Sequence, residues 1–264
     1  MFELKIPLTQ ETLEAVKLDL CKFLPGVKSS HRIEAAARGL GFAKHASLLE
    51  AIKRSGQASG PVNGTPFGEY LSSHGFPSDS MPLYRAIARV AIRIVMDREP
   101  KLTHWGYYVG RPQRLSTGKR ETVEEHHIRF SKEREELLSD RAAEQFLRAL
   151  VLVQRFKTTK NFNLRTGSYG LKHRAEEIDC TFPDGVKLGP NHVANGSLIV
   201  AAVHAGFRFK TIMDDLGYED VNVVFNMSRE SIDDALFAFG LDLPVERAHR
   251  AARRARIAKS WAIR

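Results

Sequence analysis

Ser168, Tyr169, Lys172 and His173 stand within six residues of one another and have the side-chain types from which catalytic sites are built. Tyr169 and Lys172 are three apart, and Tyr169 and His173 four apart, so on a helix both pairs share a face. A tyrosine and a histidine so placed can activate a nucleophile or hold a phosphate. The nearest carboxylates, Glu176 and Glu177, lack metal-ligand spacing, and no G-x-x-x-x-G-K-[ST], H-E-x-x-H, G-x-S-x-G or G-x-G-x-x-G is present. The competing reading is structural: Tyr169 and His173 pack their helix and hydrogen-bond to the loop at 157–166. That reading outweighs catalysis, so the chain is expected to be non-enzymatic, with no catalytic residue, metal site or cofactor.

The same stretch is more distinctive in charge. From Gln145 to Ala175 there is no Asp or Glu, yet Arg148, Arg155, Lys157, Lys160, Arg165, Lys172 and Arg174 are present, with His173. Like charges repel, so a one-sided run usually faces an anion or a partner. The candidate binding residues are Lys157, Lys160, Arg165, Tyr169, Lys172, His173 and Arg174, together with Arg250, Arg253 and Arg254 further along the chain. Phe162 and Tyr169 add aromatic faces for a single strand to stack on.

The elements that must position them follow from periodicity. Thr9 caps a helix carrying Leu13, Val16, Leu20 and Phe23, stopped at 24–26 by Leu-Pro-Gly. Short helices over 31–38 and 46–53 complete a three-helix module, 1–54. Residues 55–66 read as a Gly/Ser/Pro linker, and 67–81 as a loop with aromatic anchors packed on the next domain. The main domain, 82–243, opens on a helix with Ile87, Val90, Ala91, Ile94 and Val95 inward. Arg85, Arg89 and Arg93 lie on another face, to be paired with acids or aimed at an anion. A strand is expected over 102–109, an exposed charged segment over 122–140, a strong helix over 141–156 and a loop over 157–168. Ser168 should cap a helix, Asn195 another over 197–205, and Ser228 a last one over 232–239, with a buried strand at 221–225. The adjacent His126 and His127 diverge by about 100° on a helix and cannot share a metal. The fold class is therefore α+β, predominantly α-helical, with few strands.

A partial helix-turn-helix pattern runs through 198–217, with Ala202, Gly206 and Ile212 at the small-residue, turn and aliphatic positions. Its second helix would present Arg208, Lys210 and Thr211 to a groove. Asp215 stands where that motif wants an apolar residue. The tail, 244–264, holds seven basic residues and one acid. On a helical wheel its alanines fall on one side, with Arg250, Arg253 and Arg254 opposite, so it is expected to dock its alanine face or to fold on binding.

In bulk, 264 residues with 43% hydrophobic and 27% charged content suit a soluble globular chain. A net charge of +9 favours acidic partners, nucleic acid or a nucleoprotein before a membrane. Two cysteines, Cys21 and Cys180, cannot alone make a zinc site, and their scarcity suits a reducing compartment. With no apolar signal core and no membrane-length apolar run, the expected location is the cytoplasm.

Two stretches carry resemblances. Residues 28–52, with Ser30-His31, Ala35-Ala36-Ala37, Gly41-Phe42 and Leu48-Leu49, resemble a small helical module labelled glyoxalase-related in bacterial plasmid and integrative-element proteins. The segment has neither the strands nor the His/Glu ligands of glyoxalase chemistry, so the resemblance implies packing alone. Residues 156–228, with Ser168-Tyr169-Gly170-Leu171-Lys172-His173 as their most specific part, resemble uncharacterised proteins of proteobacterial plasmids and integrative elements. That resemblance implies a genetic setting, where proteins support transfer, control transcription or blunt host defences, including anti-restriction and anti-CRISPR proteins. The resulting expectation is a mobile-element accessory protein, plausibly a counter-defence (anti-CRISPR-like) inhibitor, that binds nucleic acid or a host RNA/DNA–protein complex through its basic surface. A helix-turn-helix regulator and an enzyme centred on Tyr169 and His173 are the alternatives.

Overall fold

The computed structural model describes residues 2–109, 111–213 and 216–241, together with Ala248, Ala252 and Ala255. Helices α1 (Gln10–Phe23), α2 (Ser29–Gly39), α3 (His45–Ser55), α4 (Gly64–Ser73) and α5 (Met81–Arg98) come first. A short antiparallel hairpin, β1 (Leu102–Thr103) and β2 (Gly106–Tyr107), leads to α6 (Val123–Glu136) and α7 (Asp140–Val153). Then come α8 (Ser168–Glu176), the pair β3 (Cys180–Thr181) and β4 (Lys187–Leu188), and α9 (Asn195–His204). The antiparallel pair β5 (Phe209–Met213) and β6 (Glu219–Phe225) and helix α10 (Arg229–Ala238) close the described chain. The fold is α+β and mainly helical, its strands confined to two-stranded ladders.

Capping chemistry starts several helices where the sequence places them. Thr9 Oγ1 accepts from the Thr12 N–H, while Thr12 Oγ1 accepts from the Thr9 N–H at 2.8 Å. Ser228, as expected, caps α10 by accepting from the Ser231 N–H, and Ser139 caps α7 by accepting from the Ala142 N–H, each without the return bond. At the centre lies α5, buried along most of its length and packed by α1, α7 and α9. One hydrophobic cluster runs from Leu4 to Leu236. Two of the three expected arginines of α5 meet acids: Arg85 donates to Glu144, and Arg89 to Asp19, 2.7 Å away on α1, and to Asp140 on α7, whereas Arg93 has no carboxylate within ion-pair distance among the described residues. Of the two free cysteines, Cys21 is exposed and Cys180 is buried, and burial pushes the Cys180 thiol up to about 12.

Several expectations need correction. Residues 64–73 form α4 where the sequence reads as linker and loop. The glycines there serve close packing: a Cβ on Gly64 would strike Ser80 and Asp184, and one on Gly68 the Ser78 carbonyl. Residues 102–109 make a tight hairpin instead of one strand. Residues 209–213, which the helix-turn-helix reading needs as a second helix, are strand β5, paired with β6 from Phe209↔Phe225 to Met213↔Glu219. Alternating β-compatible residues, Phe209, Thr211 and Met213, won over the motif's three marker positions. In the tail, Ala248, Ala252 and Ala255 are helical and exposed. Arg250, Arg253 and Arg254 lie outside the described residues. Among the described residues, no helix is long and apolar enough to cross a membrane.

Candidate functional site

The loop from 157 to 167 is laid along one edge of β6, and β5 takes the other. Thr158 bridges Met227 and Gly167 bridges Val224. Between them the Thr159 N–H donates to the Asn226 carbonyl at 2.7 Å, and the Asn163 N–H to the Phe225 carbonyl at 2.8 Å. Asn226 adds a side-chain bond to the Thr159 carbonyl, 3.1 Å long. The loop is thus held by the sheet and projects its side chains outward from a fixed backbone.

Lys157, Lys160 and Arg165 are exposed on that loop, and Arg208 and Lys210 are exposed on the neighbouring segment leading into β5. Arg208 bridges the two: its guanidinium donates to the Lys160 carbonyl at 3.1 Å and stands 5.7 Å from the centre of the Phe162 ring. Across β6, Lys210 and Gly167 flank the same residue, Val224. Among the described residues, none of these five cations has a carboxylate within ion-pair distance.

The cations of α8 are arranged otherwise. Lys172 is buried and donates to Glu176 at 3.1 Å; His173 is 2.7 Å from the other oxygen of Glu176; Arg174 is 3.7 Å from Glu177. Three of the expected binding residues are therefore balanced within their own helix. The one-sided run ends at Ala175, and the compensating acids stand just beyond it, one turn on in the helix. Burial acts to raise the Glu176 carboxyl, but the Val193 N–H, then His173 and Lys172, outweigh it, and the net shift is downward. This carboxylate is an acceptor already served by three donors. Tyr169 is exposed, its ring edge-on to His173 at 4.6 Å and facing the Lys172 ammonium at 5.2 Å. The expected hydrogen bonds from Tyr169 and His173 to the 157–166 loop are replaced by this cluster. Ser168 is buried, and its Oγ accepts from the Val223 N–H at 3.1 Å; it joins α8 to β6 and is no exposed nucleophile.

Beside Tyr169 and Lys172 opens a cleft of about 510 Å³, walled by the β1–β2 hairpin, α6, α8 and the start of α9. Trp105, at the hairpin turn, is 49% exposed. Arg129 and Glu133 form the α6 side, and Arg129 is fully engaged. It makes two bonds to Glu121, at 2.8 and 2.9 Å, and one to the Val109 carbonyl at 3.1 Å. Burial raises the Glu133 carboxyl although Arg129 pulls it down. His192 stands on the α9 side, and its orientation is derivable. Gln145 Oε1 accepts from the Ala194 N–H and the Ser197 hydroxyl, so Gln145 Nε2 is the group facing His192 Nδ1, 3.3 Å away. Nδ1 therefore accepts, and the ring proton sits on Nε2. Burial first, opposed by Glu176, lowers the pKa of His192 and keeps it neutral near pH 7.

Asn195, expected as a helix cap, instead occupies the first helical position of α9. Its Nδ2 donates to the Val221 carbonyl at 2.9 Å and to Asn222 Oδ1 at 3.2 Å, leaving its buried Oδ1 without a donor. Trp105, His192 and Asn195 come to Tyr169 from 23 to 64 positions away in sequence, beyond any local pattern; only the Lys172–Glu176 spacing was legible. Among the described residues, no three His, Cys, Asp or Glu side chains gather as a metal set. Comparisons of the chain with protein-family models, with curated proteins and with solved structures each return no match.

Proposed function

We propose that this protein binds the phosphate backbone of nucleic acid, free or carried in a host nucleoprotein complex, through Lys157, Lys160, Arg165, Arg208 and Lys210. It would do so without catalysis, as an accessory protein of a mobile genetic element, with inhibition of a host defence complex as its role. The observation that carries this reading is a contrast within one stretch of chain. The basic side chains of α8 have carboxylates beside them, whereas those of the neighbouring loop and of Arg208 and Lys210 have none among the described residues and stand exposed on backbone that β6 holds. Unmatched surface cations held together repel one another, and an anionic strand relieves that repulsion while releasing its own counterions. The enzyme alternative is less well supported, because Glu176 already accepts from three donors and Ser168 is buried.

The test is fluorescence anisotropy with labelled duplex and single-stranded DNA and RNA over a range of salt. Five phosphate contacts on duplex give a log–log salt slope of about −4.5. Replacing Lys157, Lys160 and Arg165 together by Ala should leave a slope of about −2, for any base sequence. A salt-independent affinity, or a slope unmoved by the triple substitution, refutes the proposal. Retention of a protein complex after nuclease treatment, with no affinity for free nucleic acid, would assign the surface to the protein part of that complex.

A further inference from the structure

The cleft between the β1–β2 hairpin, α6, α8 and α9 has no part in the reading above, and none of the five cations lines it. Its volume lies within the range of small-molecule sites. Its lining combines exposed ring faces with hydrogen-bond donors. Two large aromatic side chains, Trp105 and Tyr169, are about half exposed at its edges. Two donors are only partly used. Lys172 has three ammonium hydrogens and one carboxylate partner, Glu176. His192 carries its proton on Nε2, and the nearest carboxylate oxygen, on Glu176, is 3.9 Å away, too far for a hydrogen bond.

Asn195 also lines the cleft but offers it no acceptor. It is only 4% exposed, its Nδ2 is fixed by the two acceptors Val221 O and Asn222 Oδ1, and its Oδ1 is closed off from the cleft. The side chain therefore serves as wall. Arg129 and Glu133 satisfy each other and serve as wall.

We propose that this cleft is a nucleobase site: Trp105 and Tyr169 supply ring faces, and Lys172 and His192 donate to base carbonyls or to the attached phosphate. A nucleotide base is the ligand class that brings a flat π-face, carbonyl and ring-nitrogen acceptors, and a neighbouring negative charge together. A simple anion would leave both rings unused. A sugar would bring hydroxyl donors and can lie on tryptophan, so a neutral oligosaccharide is the control. The base can arrive as a free nucleotide or as an unstacked residue of a single strand.

The test uses the full chain carrying Trp261→Phe, which leaves Trp105 as its single tryptophan. Quenching of Trp105 is titrated with the four nucleoside monophosphates, with short single-stranded oligonucleotides, and with a neutral oligosaccharide. Calorimetric titration of Trp105→Ala and Tyr169→Ala runs in parallel, with circular dichroism to confirm folding. Saturable quenching is expected, and Tyr169→Ala should weaken binding roughly tenfold, the loss of one stacked base face. Binding of monophosphates identifies a free nucleotide as the occupant; binding of oligonucleotides alone identifies a base presented by a strand. Either supports the proposal. No quenching by any base-bearing ligand, equal binding of the oligosaccharide, or affinity unchanged in both aromatic variants overturns it. Loss of three charges in Lys157→Ala/Lys160→Ala/Arg165→Ala should leave monophosphate affinity unchanged, so failure of the surface and failure of the cleft are separately readable.

Discussion

Glu121 shows how strongly one carboxylate can be committed. It is buried, it takes two bonds from Arg129, and it also accepts from the Gln113 N–H at 3.0 Å. The Arg129 bonds dominate, burial opposes them, and the carboxyl is drawn down from 4.5 to about 2. A folded-state pKa below the unfolded one means that the unfolded chain takes the proton first. The stabilisation is thus complete above about pH 4.5 and is lost as pH falls towards 2. Glu121→Gln should cost about 1.5–3 kcal/mol at pH 7, the value of hydrogen bonds to a charged group. In urea titrations at several pH values, the gap from wild type should close between pH 4.5 and 2; a gap of constant size would contradict the assignment. At this scale the sequence is least readable. Nothing local ties Glu121 to Arg129, eight residues on and in a different element, or turns Asn195 from a cap into a bridge to β6. Those roles depend on which strand happens to lie opposite.

Between elements, Gly196 sets the distance from α9 to the β1–β2 hairpin. Its N–H donates to the His104 carbonyl at 2.9 Å, and a Cβ there would collide with the carbonyls of Thr103 and His104. These are backbone atoms and cannot step aside as a side-chain tip can. Gly196→Ala should therefore destabilise by about 1–3 kcal/mol or more, and it should displace Trp105 and shift its emission. Gly170→Ala on α8 is the matched control. A Cβ there meets open space, and alanine's better helix propensity makes the change neutral or stabilising by up to about 1 kcal/mol. Equal melting temperatures for the two variants would discount the steric account. Elements with strong periodicity, α1, α5, α7 and α10, were readable from the chain, α1 and α10 also by their capping residues Thr9 and Ser228. Helix α4 was not, because glycine and proline mark both flexible linkers and tight packing, and only the neighbours at Ser78, Ser80 and Asp184 distinguish them. Strand β5 was misread for a related reason: three residues at motif positions say less than the partner strand does.

Across the whole molecule, Arg89 joins three helices. From the middle of α5 it reaches Asp19 on α1 and Asp140 on α7, and both Arg89 and Asp19 are buried. Removing one member of such a group strands charge in the interior. Arg89→Ala should cost about 3–5 kcal/mol in urea unfolding, against less than about 1 kcal/mol for Arg93→Ala one turn further along. Comparable losses would mean that the buried network carries no special weight. The sequence left open whether the arginines of α5 meet acids or an anion, because the acids sit on other helices, about 50 to 70 residues away. Its basic run, by contrast, was visible at once, and the fold divides that run into a compensated half on α8 and an uncompensated half on the loop.

The loop at 157–167 also changes how the chain meets copies of itself. Strand β6 is rich in valine and ends in phenylalanine, a composition that stacks readily into fibrils when its backbone groups lie open. With β5 on one flank and the loop hydrogen-bonded along the other, neither flank of β6 offers a template. The segment that carries the positive charge thus also covers a strand flank that would otherwise lie open to pairing with another chain.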